Sequence, residues 1–279
     1  MAKRLRDKDV AAYEREGYLF PLNVLGAAEV ADLRGRLEAF EAENGGPLQG
    51  AQRSKSYLLF KWVDDLMRDP RILDPVEDLI GPDILCWNSI FWIKEAGSPN
   101  FVSWHQDLNY WGLDAKDLVT AWLALSPAAP ENGCMRVLPG SHRGAALPHK
   151  DTFHGDNMLT RGQEIAREVS EAETVTMALS PGQMSLHNVR LAHASGPNSG
   201  ADRRIGLSFH YMPTRSRQLI GAWDSAALVR GEDRFGHFAL APRPARDGDP
   251  ATRTFHEKAV AALHEILFKD AAQDSDRIG

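Results

Sequence analysis

From Asp83 onward the chain becomes a series of short, strand-like runs: ILCWNSIFWIK, LVTAWLALS, MRVLP, TVTMAL, QMSLH and RIGLSFHYM. Turn residues separate them, notably Pro-Glu-Asn-Gly (130–133) and Ser-Pro-Gly (180–182). Many short strands with intervening turns must bury their apolar faces against one another, which favours two packed sheets over a parallel α/β layer. The first eighty residues read instead as helices. Val30, Leu33, Leu37 and Phe40 recur at three- and four-residue steps before Gly45-Gly46, and a second helix is expected from about Asp69 to Ile80, stopped by Gly81-Pro82. Near the end, Phe255, Val260, Leu263, Ile266 and Leu267 form one helical stripe that packs back on the core or makes a subunit contact. The expected fold is mainly β with flanking helices, built on a jelly-roll, or double-stranded β-helix, core. It is read as one domain: a helical region 1–82, a core 83–215, and a loop with a C-terminal helix over 216–279.

Composition narrows the function. The 279 residues include 43% hydrophobic and 25% charged side chains, ordinary globular values. The net charge of −6 and the absence of a dense Lys/Arg run argue against a nucleic-acid partner. No apolar run approaches the ~18 residues of a membrane span, and the start MAKRLRDKDVAAYERE lacks the apolar segment of a secretory signal. Cys86 and Cys134 form no C-x-x-C pair and are expected to be reduced and buried, as in a cytoplasmic protein. A small molecule is the expected partner of a monomer or homodimer.

The run Trp104-His105-Gln106-Asp107 carries the chemistry. On a β-strand, His105 and Asp107 share a face and Gln106 turns away. An imidazole beside a carboxylate makes half of a metal site, and one more His completes the two-His-one-carboxylate set that suits non-haem Fe(II) with open positions. An H-x-D alone is weak in a chain with ten His, but here it is followed far downstream by His193-Ala194-Ser195-Gly196-Pro197-Asn198 and then Arg204. Arg204 offers a planar, charged fork for a carboxylate.

Period two assigns the faces. Gly206, Ser208 and His210 accompany Arg204, leaving room beside the guanidinium, while Ile205, Leu207, Phe209 and Tyr211 form an apolar back. Asn88, Ile90, Trp92 and Lys94 share a face. Asn88 then looks into the cavity or is a satisfied polar group at a strand end. If the strand through Asp107 continues, Asn109 and Trp111 also face the site. Trp111 would shield it, contact a cationic substrate through its π face, or simply pack in the core. His187 and His142 read as structural.

These stretches resemble the phytanoyl-CoA dioxygenase family of Fe(II)- and 2-oxoglutarate-dependent oxygenases. The likeness rests on WHQDLNYWGL (104–113), TAWLALSPAAPENGCMRVLPGSH (120–142), PGQMSLHNVRLAHASGPN (181–198) and RRIGLSFHY (203–211). It implies that His105, Asp107 and His193 bind iron and that Arg204 holds the distal carboxylate of 2-oxoglutarate. Ser195 would assist that carboxylate. Trp122, Ile90 and Lys55 would line the cosubstrate site, with Lys61 as the competitor of Lys55. The implied reaction hydroxylates an unactivated C–H bond with O2 while 2-oxoglutarate becomes succinate. Related halogenases carry a small residue in place of the carboxylate, so Asp107 favours hydroxylation. Asn88, Asn109, Trp111 and His210 are the candidate substrate contacts; Asn109, Trp111 and the segment TRSRQ (214–218) suggest a small polar or amine-bearing metabolite. Two other readings compete: a zinc isomerase or hydrolase on a similar jelly roll, which has no use for Arg204, and a silent small-molecule-binding protein, against which the intact ligand set argues.

Overall fold

The computed structural model describes residues 4–114 and 116–272, so the two ends of the expected 1–279 domain lie outside the described residues. In chain order the elements are α1 (Asp7–Glu16), β1 (Tyr18–Asn23), α2 (Ala27–Glu43), α3 (Lys61–Leu66), α4 (Pro70–Ile80), β2 (Ile84–Lys94), β3 (Val102–His105) and α5 (Leu108–Trp111). They continue with β4 (Val119–Ala124), β5 (Met135–Val137), β6 (His149–Asp151), β7 (Gln163–Ile165), β8 (Val175–Met177) and β9 (Gln183–Asn188). The last are β10 (His193–Ser195), β11 (Arg204–Pro213), β12 (Ser225–Arg230), β13 (Ala239–Leu240) and α6 (Pro250–Leu267).

Local chemistry accounts for the helix ends. Asp69 accepts a hydrogen bond from the Arg71 amide at 2.8 Å ahead of Pro70, and Gly81 at φ 90° ends α4. Asp249 caps α6 through the Ala251 amide ahead of Pro250 in the same way. The apolar positions Ile72, Leu73, Val76 and Ile80 of α4 are all buried.

The strands form a seven-stranded sheet, β1-β9-β4-β11-β2-β12-β13, and a four-stranded sheet, β3-β10-β5-β8, with a β6-β7 hairpin beside them. Pairing is antiparallel except between β12 and β13. This is the double-sheet architecture expected from the strand pattern. One segment differs: Tyr18–Asn23, within the stretch read as helical, is the edge strand β1, paired with β9. Its aromatic and branched side chains have more to gain on a half-buried sheet edge than on a short helix.

The large sheet uses its two faces differently. Val119, Ala121, Leu123, Phe91, Ile205, Leu207, Phe209 and Tyr211 pack against Leu37, Val63, Met67, Ile72 and Val76 of the helical layer. Each fully buried Val, Leu, Ile, Phe or Met among them contributes about 1.5–3 kcal/mol. The opposite face, carrying Thr120, Trp122, Ser208 and His210, looks toward the small sheet across a cavity of about 460 Å³. A bulge sharpens the division. His210 pairs with Asn88 but Tyr211 pairs with Cys86, so Trp87 is the extra residue and joins the cavity side together with Leu85.

Candidate metal centre

Strand β3 stops at His105. Asp107 has φ −60° and ψ −46°, helical values, and opens the single turn α5, so the extended register expected through Asp107 and Asn109 does not occur. Gln106 fixes the turn. Its side-chain amide donates to the Arg190 carbonyl, its carbonyl accepts the Leu147 amide, and its backbone amide donates to His149 Nε2 at 3.0 Å. The turn still brings the carboxylate to the imidazole: Asp107 Oδ1 lies 3.2 Å from His105 Nε2. His193 is the register partner of His105 on β10. One ligand atom from each of the three residues lies within 4.8 Å of the others, a spacing that fits a shared metal ion.

Hydrogen bonds set the tautomers. His105 Nδ1 is 2.9 Å from the Ser103 carbonyl and 3.1 Å from the His193 carbonyl, and His193 Nδ1 is 2.9 Å from the Leu191 carbonyl. A carbonyl only accepts, so each Nδ1 carries a proton, and in the neutral ring Nε2 is the nitrogen left with a lone pair for a metal. Burial and the His105 ring push His193 down to about 4, keeping it neutral near pH 7. Burial alone would raise the Asp107 carboxyl, but the adjacent His193 and then His105 lower it whenever their rings are protonated; with both rings neutral, two lone pairs and the carboxylate face one point that a cation would fill. Two neutral nitrogens and one carboxylate converging on a point are a donor set for a divalent cation.

The far end of the cavity is cationic. Arg204 is 2% exposed; its Nη1 donates to the Gly133 carbonyl at 2.9 Å and its guanidinium stacks on Trp122, 5.5 Å from the ring centroid. Its Nε has no partner, and no carboxylate pairs with it among the described residues. A Cβ at Gly206 would overlap the Trp122 indole, so glycine is what lets that ring lie flat across β11 beside the guanidinium. Lys94 is fully buried directly across the ladder from Arg204, and its ammonium donates to Ser195 Oγ at 2.7 Å and to the Gly196 carbonyl. Burial and Arg204 push Lys94 down to about 6. Arg53 stands nearby, over Trp92.

Residues 13–206 match the family model described as phytanoyl-CoA dioxygenase. The chain belongs to the phytanoyl-CoA dioxygenase family. It is 32% identical over 187 residues to a probable alpha-ketoglutarate-dependent hypophosphite dioxygenase of Stutzerimonas stutzeri, covering 65% of this chain and 64% of that one. It is 27% identical over 224 residues to the peroxisomal phytanoyl-CoA dioxygenase of Homo sapiens, covering 71% and 66%. The alignments thus span just under two thirds of these curated relatives. Among solved structures it resembles the non-heme monooxygenase ThoJ in its apo form, with TM-score 0.80, 35% identity, and 92% and 96% of the two chains covered. The ThoJ nickel complex gives TM-score 0.75 at 32% identity, with 92% and 98% covered.

Within this family member the remaining candidates fall in three places. Ser195, Trp122 and His210 line the cavity with the ligand set and Arg204. Ile90, Asn88 and Trp111 line an adjoining space of about 380 Å³ that also reaches Asp107. Trp111 stacks on His210 with centroids 4.4 Å apart, and Asn88 Oδ1 accepts the Lys55 amide at 2.7 Å. Asn109 and the two lysines lie elsewhere. Asn109 is exposed, its side-chain amide donating toward the Leu147 carbonyl and lying beside His149, because one helical turn rotates it out.

Lys55, expected at the cosubstrate, is instead buried beneath β2. Its ammonium donates to the Trp87 and Ser225 carbonyls and lies 3.7 Å from Asp224. Its rival Lys61 is a surface residue paired with Asp65. The lysine beside Arg204 is Lys94, which sequence reasoning placed on the cavity face but gave no role; its period-two step from Ile90 and Trp92 was the available signal. His187, read as structural, also lines the cavity together with Thr120, and its Nδ1 has no partner. His142 donates to the Glu14 carbonyl at the surface.

Proposed function

We propose that this protein is a non-haem Fe(II)- and 2-oxoglutarate-dependent dioxygenase that hydroxylates a C–H bond of a small polar metabolite. The observation that carries the reading is one cavity holding a neutral His–His–carboxylate set at one end and an unpaired, buried guanidinium at the other. A cosubstrate with a metal-chelating 2-oxo acid and a second carboxylate needs both. The family and the likeness to ThoJ support the same class.

In this reading His105, Asp107 and His193 hold the iron, and Arg204 pairs with the distal carboxylate. Ferrous iron bound there, with 2-oxoglutarate oxidised to succinate and CO2, supplies the oxidation of a C–H bond by O2. The chain's own contribution is placement. The Nδ1–carbonyl hydrogen bonds orient both imidazoles, and Trp122 covers the guanidinium. A zinc hydrolase on the same scaffold leaves the Arg204 end without a purpose. The experiment is succinate release from 2-oxoglutarate with Fe(II) under air, across a panel of small polar metabolites. Substrate-stimulated, iron-dependent succinate supports the reading; metal binding with no 2-oxoglutarate binding at all overturns it.

A further inference from the structure

Lys94 and Arg204 sit directly opposite each other on neighbouring strands, both buried. Like charges so placed destabilise a sheet, and buried cations without counter-ions are costly. Arg204 has a bound anion to look forward to. Lys94 does not reach for one: its ammonium is taken up by Ser195 Oγ at 2.7 Å, the Ser195 carbonyl at 3.4 Å and the Gly196 carbonyl. This has a chemical consequence for Ser195. Burial and Arg204 hold Lys94 below its usual range, and a dicarboxylate bound at Arg204 favours its ammonium form; an ammonium has no lone pair, so in that form the Ser195 hydroxyl is the acceptor in this contact. Its own proton must therefore go elsewhere, and no other partner of the hydroxyl is found among the described residues. Ser195 lines the cavity that Arg204 enters, so the open direction is the cavity.

We propose that Lys94 is a positioning residue for the cosubstrate: it holds Ser195 as an acceptor and thereby aims the Ser195 O–H at the distal carboxylate that Arg204 binds. The proposal rests on the cosubstrate reading above. Ser195 and Arg204 then form a two-sided donor clamp, and Lys94 acts through Ser195 without touching the carboxylate. A lysine that merely tied β2 to the loop after β10 would matter for stability and not for which oxo acid binds.

Calorimetric titration of the Mn(II)-loaded protein with two probes separates these roles. 2-Oxoglutarate carries the distal carboxylate and 2-oxobutyrate lacks it. Lys94→Met keeps the apolar stem and removes the donor, and is expected to weaken 2-oxoglutarate about tenfold while leaving 2-oxobutyrate unchanged. Ser195→Ala should do the same, and the double variant should lose no more than either single one, because both remove one hydrogen bond. In turnover, KM for 2-oxoglutarate should rise with kcat held at saturation. Wild-type 2-oxoglutarate affinity in Lys94→Met, equal losses for both probes, or losses that multiply in the double variant would each overturn the proposal. Lys94→Leu replaces the Met variant if that one does not fold. A wild-type protein that binds 2-oxobutyrate but gains nothing from the second carboxylate overturns the clamp while sparing the metal centre. One that binds neither probe overturns the cosubstrate reading itself.

Discussion

His105 and His193 face each other as paired residues of the β3–β10 ladder, with ring centroids 4.1 Å apart. Each ring spends its Nδ1 proton on a backbone carbonyl, so the strand pairing that places the rings also decides which nitrogen is left to bind metal. Asp107 closes the set from a helical turn on the same connection. Removing any of the three should cut metal affinity. His105→Ala and His193→Ala are expected to weaken Mn(II) binding at least tenfold to a hundredfold, with circular dichroism unchanged, because the apolar core lies on the other face of the large sheet. A variant that keeps wild-type affinity is not a ligand.

Asp107→Gly should abolish hydroxylation while wild-type turnover shows no dependence on chloride. Product analysis by mass spectrometry with and without chloride checks both halves. A chlorinated product from the unaltered protein would defeat the role given to the carboxylate.

Arg204→Lys keeps the charge and loses the planar fork, so 2-oxoglutarate affinity should fall roughly tenfold to a hundredfold, about 1.4–2.8 kcal/mol. Arg203 serves as the control. It pairs with Glu41 and Glu95 on the other side of the strand, so Arg203→Ala should lower the melting temperature and leave cosubstrate affinity intact.

Lys55→Ala tests the corrected placement of that residue. It would strip the Trp87 and Ser225 carbonyls of their donor and leave Asp224 without its cation, at a cost of about 3–5 kcal/mol by chemical denaturation. A conformational side effect aside, folded Lys55→Ala should bind 2-oxoglutarate like the wild type. A selective loss of that affinity would return Lys55 to the cosubstrate site.

Mild acid should destabilise the metal-free protein through His210. Burial pushes His210 down to about 4, whereas the same side chain in the unfolded chain titrates near 6.5. Between those values the unfolded state binds a proton that the folded state refuses, so stability is full above pH 6.5 and falls as pH drops toward 4. One such group contributes about 1.4 kcal/mol per pH unit within the window. Urea titrations at pH 7 and pH 5 should show the loss, and His210→Gln should reduce it.

Much of this arrangement is written in residue order. The alternation of β11 separates Arg204, Gly206, Ser208 and His210 from Ile205, Leu207, Phe209 and Tyr211, and the fold keeps that division because a two-residue period survives any packing of a straight strand. The helical stripes of α2, α4 and α6 were legible for the same reason, as were the stop residues after α2 and α4. Period fails where the chain leaves its regular path. Asn109 turns outward because the strand ends at His105, and Trp87 joins the cavity side because a bulge shifts β2 against β11. The strand β1 was hidden in a region of helical texture because its partner β9 lies far along the chain.

The sequence by itself determined the residue types that could hold a metal and a dicarboxylate, and the side of each regular strand on which they stand. Only the tertiary structure decided which lysine lies beside Arg204. Lys55 and Lys94 are both buried, and the period-two step that puts Lys94 on the cavity face does not say which of them meets Arg204. Cross-strand register sets Lys94 against Arg204, while Lys55, at φ 50° ahead of the 3-10 turn Ser56–Leu58, reaches Asp224. A buried charge takes the partners that long-range packing brings within a few ångströms, and that proximity is not encoded in the spacing of either lysine along the chain.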